Sequence, residues 1–155
     1  NYIAVSDGEK IVKSIGVNKL SEEYVTVFTK LGMVKRMKLS DFEVSRYTKP
    51  ITMFKLKDND EVVSVSTVQG TETLVITKEG NALKYNTTEI PILGLRTSGV
   101  KSINLKDDKV VSVSNFDSMT CEYISVITEK GTGKRDEFRW RMEVSVLWIA
   151  LPIYL

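Results

Sequence analysis

Residues 28–43 read FTKLGMVKRMKLSDFE: two short runs of apolar residues and Thr meet at a Lys-Leu-Gly turn, and the returning run carries a Lys-Arg pair. The pattern comes twice more, as ITKEGNALKYNTTEI over 76–90 and ITEKGTGKRDEF over 127–138. The turn glycines Gly32, Gly80 and Gly131 lie 48 and 51 residues apart. A second anchor is an acidic turn followed by β-branched residues: DGEKIVKSI from Asp7, DNDEVVSVS from Asp58 and DDKVVSVS from Asp107. It places Val12, Val63 and Val111 51 and 48 residues apart, so two independent features share one period. The chain is an internal repeat, and that decides the fold.

Within each unit the signals are of strands. EVVSVSTV, TLVITK and NALKY are short, rich in Val, Ile, Thr and Tyr, and bounded by Gly, Asp or Asn. Helical periodicity is weak outside the last twenty or so residues. Four short strands per period of about 50 residues predict an all-β, propeller-like radial repeat of four-stranded blades. The units run over about 7–57, 58–106 and 107–155 of a single partial domain, 1–155, with the last atypical or truncated. Three blades do not close a ring, since propellers typically need about four to eight. The chain is therefore expected to be part of a larger domain or an open arc.

The bulk numbers exclude more than they assign. At 155 residues, 42% apolar and 27% charged, the chain can bury a real core and is not compositionally disordered. The net charge of +2 gives little overall attraction to phosphate, so any nucleic-acid function must come from how the charges are placed. With no histidine and one cysteine, Cys121, disulfide frameworks, His-based nucleophilic machinery and His- or Cys-ligated zinc sites fall away. Cys121 suits a reducing cytosol and reads as a small buried hydrophobe. No secretory leader is visible, and the longest apolar run, 144–155, is too short to span a bilayer. A soluble, cytoplasmic protein without a membrane partner is expected.

The repeated positions carry a chemical pattern. Three residues before each turn glycine stands Thr29, Thr77 or Thr128, and four residues after it stands Arg36, Lys84 or Arg135. Arg46 and Arg96 follow in the first two units, with Lys49 and Lys101 close behind. If units stack radially, the cations form a basic rim and the acidic turns a separate one. A charged strand face is ordinarily a solvated surface, whereas cations recurring at one structural position suit a polyanion whose charges also recur. Two motifs are declined. Asp58-Asn59-Asp60 opens like a calcium loop but lacks the later glycine and the bidentate Glu. Arg46-Tyr47-Thr48 matches the triplet around the cleavage tyrosine of type II topoisomerases, but its counterpart Arg96-Thr97 lacks the aromatic.

The stretches TKLGMVKRMKLSDFEVSRYTKPITMFKLKDNDEVVSV and VITKEGNALKYNTTEIPILGLRTSGVKSINLKDDKVVSV resemble successive blades of the C-terminal domain of the A subunit of bacterial type IIA topoisomerases, nearer to the topoisomerase IV branch than to gyrase. The resemblance covers about residues 1–135. It implies a β-pinwheel that binds and bends duplex DNA around a basic edge without sequence specificity, and helps select and orient the segment to be passed in relaxation and decatenation. It further implies DNA-facing roles for Lys30, Lys35, Arg36, Arg46 and Lys49 in one blade, for Lys78, Lys84, Arg96 and Lys101 in the next, and for Lys134 and Arg135 in a third. No cofactor is expected in this chain, and no catalytic residue. ATP and magnesium would belong to other domains of the holoenzyme, and the implied protein partners are its N-terminal cleavage domain and its B subunit. Gyrase's Gln-Arg-Arg-Gly-Gly box is absent, which argues against full gyrase-type wrapping. The alternatives are a gyrase A-type C-terminal DNA-wrapping domain and a propeller-type protein-interaction module, the latter with the apolar Leu147, Trp148, Ile149 and Leu151 of the tail needing a partner surface.

Overall fold

A computed structural model describes residues 5–17, 23–43 and 50–137. Its elements are β1 Tyr24–Thr29, β2 Met33–Lys38, β3 Val62–Ser66, β4 Glu72–Thr77, β5 Ala82–Asn86, β6 Val100–Lys101, β7 Val110–Phe116, β8 Tyr123–Ile127 and β9 Gly133–Glu137. Short 3-10 turns over Leu39–Phe42 and Thr87–Glu89 follow the first two hairpins. Among the described residues the regular structure is strand, apart from these two short 3-10 turns, as the β-branched runs predict. The tail from 138 onward, including its four apolar residues, lies outside the described residues.

The repeated threonine and glycine are explained by the hairpin turns. Gly32, Gly80 and Gly131 adopt φ of 79, 81 and 78°, a left-handed conformation that glycine enters without steric cost. Their amides donate to the carbonyls of Thr29, Thr77 and Thr128 at 3.0, 3.1 and 2.9 Å. In the first two hairpins the threonine hydroxyl also accepts the amide one residue past the glycine, from Met33 and from Asn81, both at 3.1 Å. A short loop closed by a left-handed glycine is a common hairpin connection, because that residue lets the chain turn directly into the returning strand.

The sheets are assembled in a way the period alone does not reveal. The first has the order β3-β1-β2-β6, the second β5-β4-β7, and β8 pairs with β9. Each of the first two hairpins takes as its third strand the Val-rich run that follows it in sequence: Thr29 lies opposite Val62 and Thr77 opposite Val110, with the same register shift beside each. The fourth strand of the first sheet, β6, comes from beyond the second hairpin and places Lys101 opposite Met33 and Val100 opposite Val34.

Alternation along the strands generates two cores. Phe28 and Val34 on one face of the first sheet pack with Val75, Ile90, Ile103 and Val110, so this cluster joins the first two sheets. The opposite face supplies Val25, Val27 and Met37, which pack with Leu39 and Phe54. Backbone bonds tie the units further, from Ser102 to the Gly32 carbonyl at 2.8 Å and from Val110 to the Lys30 carbonyl at 3.0 Å. Tyr85 reaches Ser102 at 2.7 Å, and burial pushes its phenol up to about 12 against the opposing effect of that bond. Cys121 is half-buried rather than buried, and its thiol donates to the Tyr123 carbonyl at 3.3 Å beside the partly exposed third hairpin.

The acidic turns clasp the hairpin tips. Asp60 accepts the amides of Leu31 and Glu61 at 2.8 and 2.9 Å, and Asp108 accepts those of Glu79 and Lys109 at 3.1 and 2.7 Å. Asp60 is thereby committed to turn geometry, as expected when the calcium reading is declined. Lys30 and Lys78 share the hairpin tips with the acidic turns, because the following strand starts beside the tip it pairs with, whereas the repeated cations Arg36 and Lys84 stand further along β2 and β5. Burial opposes the charge of Asp108, but bonds from Thr77, Lys109, Asn81 and Glu79 outweigh it and hold the carboxyl below its ordinary value. A depressed acid contributes stability above its unfolded pKa and loses it as pH falls through the folded one. Asp108→Ala is expected to cost about 1–2 kcal/mol at neutral pH, and to flatten the loss of stability below about pH 4. Urea unfolding from pH 7 to pH 2 measures both.

Candidate nucleic-acid interface

The three repeated cations occupy one register position. Arg36 lies opposite Thr26, Lys84 opposite Leu74 and Arg135 opposite Ser125. Each side chain leans on the residue two positions earlier on the partner strand, a diagonal neighbour on the same face. The Arg36 guanidinium stands 4.7 Å from the ring centroid of Tyr24, and Arg135 stands 5.1 Å from that of Tyr123. At the same place in the second hairpin, Lys84 pairs with Glu72 at 3.4 Å. These supporting residues, Tyr24, Glu72 and Tyr123, stand twelve positions before their cations. That spacing is visible in the sequence and is a signal the turn-centred reading missed. A flat aromatic holds a guanidinium in place while leaving its edge able to bond; at Arg36, which is half-buried, Nη1 also donates to the Thr87 carbonyl at 3.5 Å. A carboxylate instead neutralises its lysine, so the second position is electrostatically weaker.

The other expected positions divide. Lys30 forms an ion pair with Glu61 at the clasped tip. Lys78 is exposed at the equivalent tip, and Lys134 is exposed on β9. Lys101, exposed on β6, donates to Asn104 at 2.9 Å. Arg96 is exposed in a turn and adopts φ of 63°, left-handed backbone that is uncommon for a residue with a Cβ. The sequence assigns Arg96 and Lys101 to the second unit, yet the structure attaches both to the first sheet. Thr97 bridges to Phe54, β6 pairs with β2, and Leu93 and Pro91 bond to the backbone of Arg36. Arg46 and Lys49 lie outside the described residues, as does Tyr47.

Lys35 departs from its expected place. It is fully buried, on the face of β2 opposite to Arg36, with its ammonium 5.2 Å from the Phe54 ring centroid. Nζ donates to the carbonyls of Gly94 and Thr97 at 2.9 and 3.3 Å and to the Thr97 hydroxyl at 3.1 Å. Both faces of β2 are covered, and alternation sends Lys35 with Met33 and Met37 to the face away from Val34 and Arg36. Burial lowers the Lys35 pKa. From that lowered value up to about 10.4 the unfolded chain binds more protons than the folded one, so this residue makes stability rise with pH. Lys35→Met is expected to remove that rise, read as the difference between the two proteins' urea stability from pH 7 to pH 10.

A family profile described as DNA gyrase C-terminal domain, beta-propeller, matches residues 23–69 and 71–117, which is more than half of the chain. The chain belongs to the DNA gyrase A C-terminal β-propeller family. Similar proteins include the A subunit of DNA topoisomerase 4 from Staphylococcus epidermidis, 34% identical over 138 residues, and its counterpart from Bacillus subtilis, 34% identical over 137. These matches cover 88% and 87% of this chain but 17% of each relative, so the chain spans about a sixth of their length. Among solved structures, a crystal structure of the C-terminal domain of DNA topoisomerase IV is similar with a TM-score of 0.78 and 36% identity, over 86% of this chain and 42% of that one. A DNA gyrase A C-terminal domain gives 0.72 and 26%, over 88% and 45%. Each matched segment of the profile begins just before a hairpin and ends just after the Val-rich strand that pairs with it. Among the described residues no helix is long and apolar enough to cross a membrane.

Proposed function

We propose that this chain is the DNA-holding part of a topoisomerase IV-type A subunit, gripping duplex DNA through its phosphates without marked sequence preference and orienting the segment for strand passage. The observation that carries the reading is the cation at one register position of every hairpin, supported each time from the residue twelve earlier. Phosphates recur along B-DNA, and a row of cations set by a sheet repeat can meet several of them at once. In this reading strand cleavage, ATP and magnesium belong to other domains of the holoenzyme, its B subunit included, and the protein works in the bacterial cytoplasm. Lys30, Arg36, Lys78, Lys84, Arg96, Lys101, Lys134 and Arg135 are the contacts drawn from within the described residues; Arg46 and Lys49, expected in the same role, lie outside them. Lys35 is left out, because its ammonium already serves three acceptors inside the chain.

The test is binding to a labelled random duplex at stepped salt. If each of the two fuller blades engages DNA through about two to three of these cations at once, about five phosphates are neutralised and the log-log slope is about −4 to −5, nearly the same on unrelated sequences. The alternative is a protein-interaction module. That reading gains if duplex binding is absent or flat between low and moderate salt.

A further inference from the structure

We propose that Lys35 is a positioning residue, whose buried ammonium folds the Gly94–Thr97 turn into the one shape that presents Arg96 to the DNA backbone. The inference rests on the DNA-holding reading and adds to it a residue that touches no DNA.

Burying an ammonium is costly, and a buried charge persists where several acceptors surround it. Here the acceptors are not scattered. The carbonyls of Gly94 and Thr97 and the Thr97 hydroxyl come from the two ends of one short turn. The Thr97 hydroxyl also donates to the Gly94 carbonyl at 3.0 Å, so both ends converge on one Nζ. Between them stands Arg96, exposed and left-handed. A residue with a Cβ holds that conformation only when its surroundings over-determine it. The ammonium does so from below, while the backbone bond from Lys55 to the Thr97 carbonyl at 3.0 Å secures one end.

The second hairpin shows that a charge is not needed at this position for packing. The residue three past its turn glycine is Leu83, opposite Val75 as Lys35 is opposite Val27. An apolar side chain therefore fits the site. Gly94 and Thr97 are exposed, so their carbonyls can turn to water if the ammonium is lost. Lys35→Met should accordingly fold and keep or gain stability, since well-packed apolar replacements of buried charges are often neutral or stabilising. What it should lose is the fixed turn.

The experiment compares wild type, Lys35→Met, Arg96→Ala and the double variant for duplex binding at stepped salt, together with urea stability and the rate of trypsin cleavage after Arg96. One phosphate contact is worth about eightfold in affinity at 0.1 M salt and about 0.9 in slope. Lys35→Met is expected to lose about that much, as Arg96→Ala does, and the double variant no more than either. Cleavage after Arg96 should quicken without loss of global stability. Thr97→Val, which deletes one acceptor on an exposed residue, should shift binding and cleavage the same way by less, and serves if Lys35→Met does not fold. Unchanged cleavage overturns the proposal whatever the DNA result, and so do additive losses, which would make Lys35 an independent contact. If cleavage quickens while wild type fails to bind DNA, the DNA-holding reading falls and takes the presentation role with it, leaving only the clamp.

Discussion

Gly99→Ala will lower the unfolding free energy by roughly 3 kcal/mol, through a backbone collision together with an unfavourable φ. Gly99 has φ of 74°, and a methyl group there would stand 2.5 Å from the Val34 carbonyl oxygen and 2.9 Å from Cζ of Phe54. Neither obstacle can rotate aside: Val34 is paired in β2, and Phe54 lies in the core. The chain must lift off β2 where β6 begins, which uncouples the fourth strand of the first sheet. For a chain of this size the melting temperature should fall by about 6–12 °C. Gly94→Ala is the matched control, since a methyl group there meets nothing within 4 Å and φ is not in the left-handed range. It should stay within about 0.5 kcal/mol of wild type. Thermal and urea unfolding of the two variants side by side decide the matter, and equal stabilities would show that β6 contributes little to the sheet.

Replacing Arg36 and Arg96 together by Ala will weaken duplex binding by about 60-fold at 0.1 M salt, at about eightfold per lost contact, and will lower the log-log slope by about two. The two belong to one sheet despite their separation in sequence, because the 91–97 segment runs along β2 from Arg36 to the Lys35 clamp. The loss should be nearly equal on unrelated sequences, as expected of phosphate rather than base contacts. Arg36→Ala also removes the stack on Tyr24, which costs about 0.5–1 kcal/mol of stability. Binding must therefore be measured well below the variant's melting temperature. A double variant that binds as tightly as wild type would return both arginines to an ordinary solvated face. Lys84→Ala should cost less than either, because Lys84 already shares its charge with Glu72.

What could be read from the sequence follows from how local each interaction is. The hairpins were legible because Thr29, Gly32 and Arg36 act within one turn of chain, and their equivalents obey the same spacing. The Val-rich strands were legible as strands, but not as the strands that complete the preceding hairpins. Pairing such as Thr29 with Val62, or Met33 with Lys101, depends on contacts between distant segments that periodicity does not encode. Lys35 was misplaced for a related reason. A Lys beside an Arg reads as surface, and only the Gly94–Thr97 turn, far away in sequence, supplies the acceptors that make its burial tolerable. The supports for the cations lay in plain view, since Tyr24, Glu72 and Tyr123 share one spacing. They were passed over because two aromatics and an acid do not look alike until the strand register shows their common task.

The sharing of strands between periods also constrains how such a chain can change its length over generations. A hairpin receives its completing strand from the segment downstream, as β1 does from β3 and β4 from β7. Recombination that removes or duplicates one whole period, cut at the same phase on both sides, leaves every remaining hairpin with a donor. A cut out of phase strands a hairpin without its donor, or a donor without its hairpin, and exposes an edge open to wrong pairing. Copy number in this architecture is thus free to drift by whole periods while its phase is held fixed.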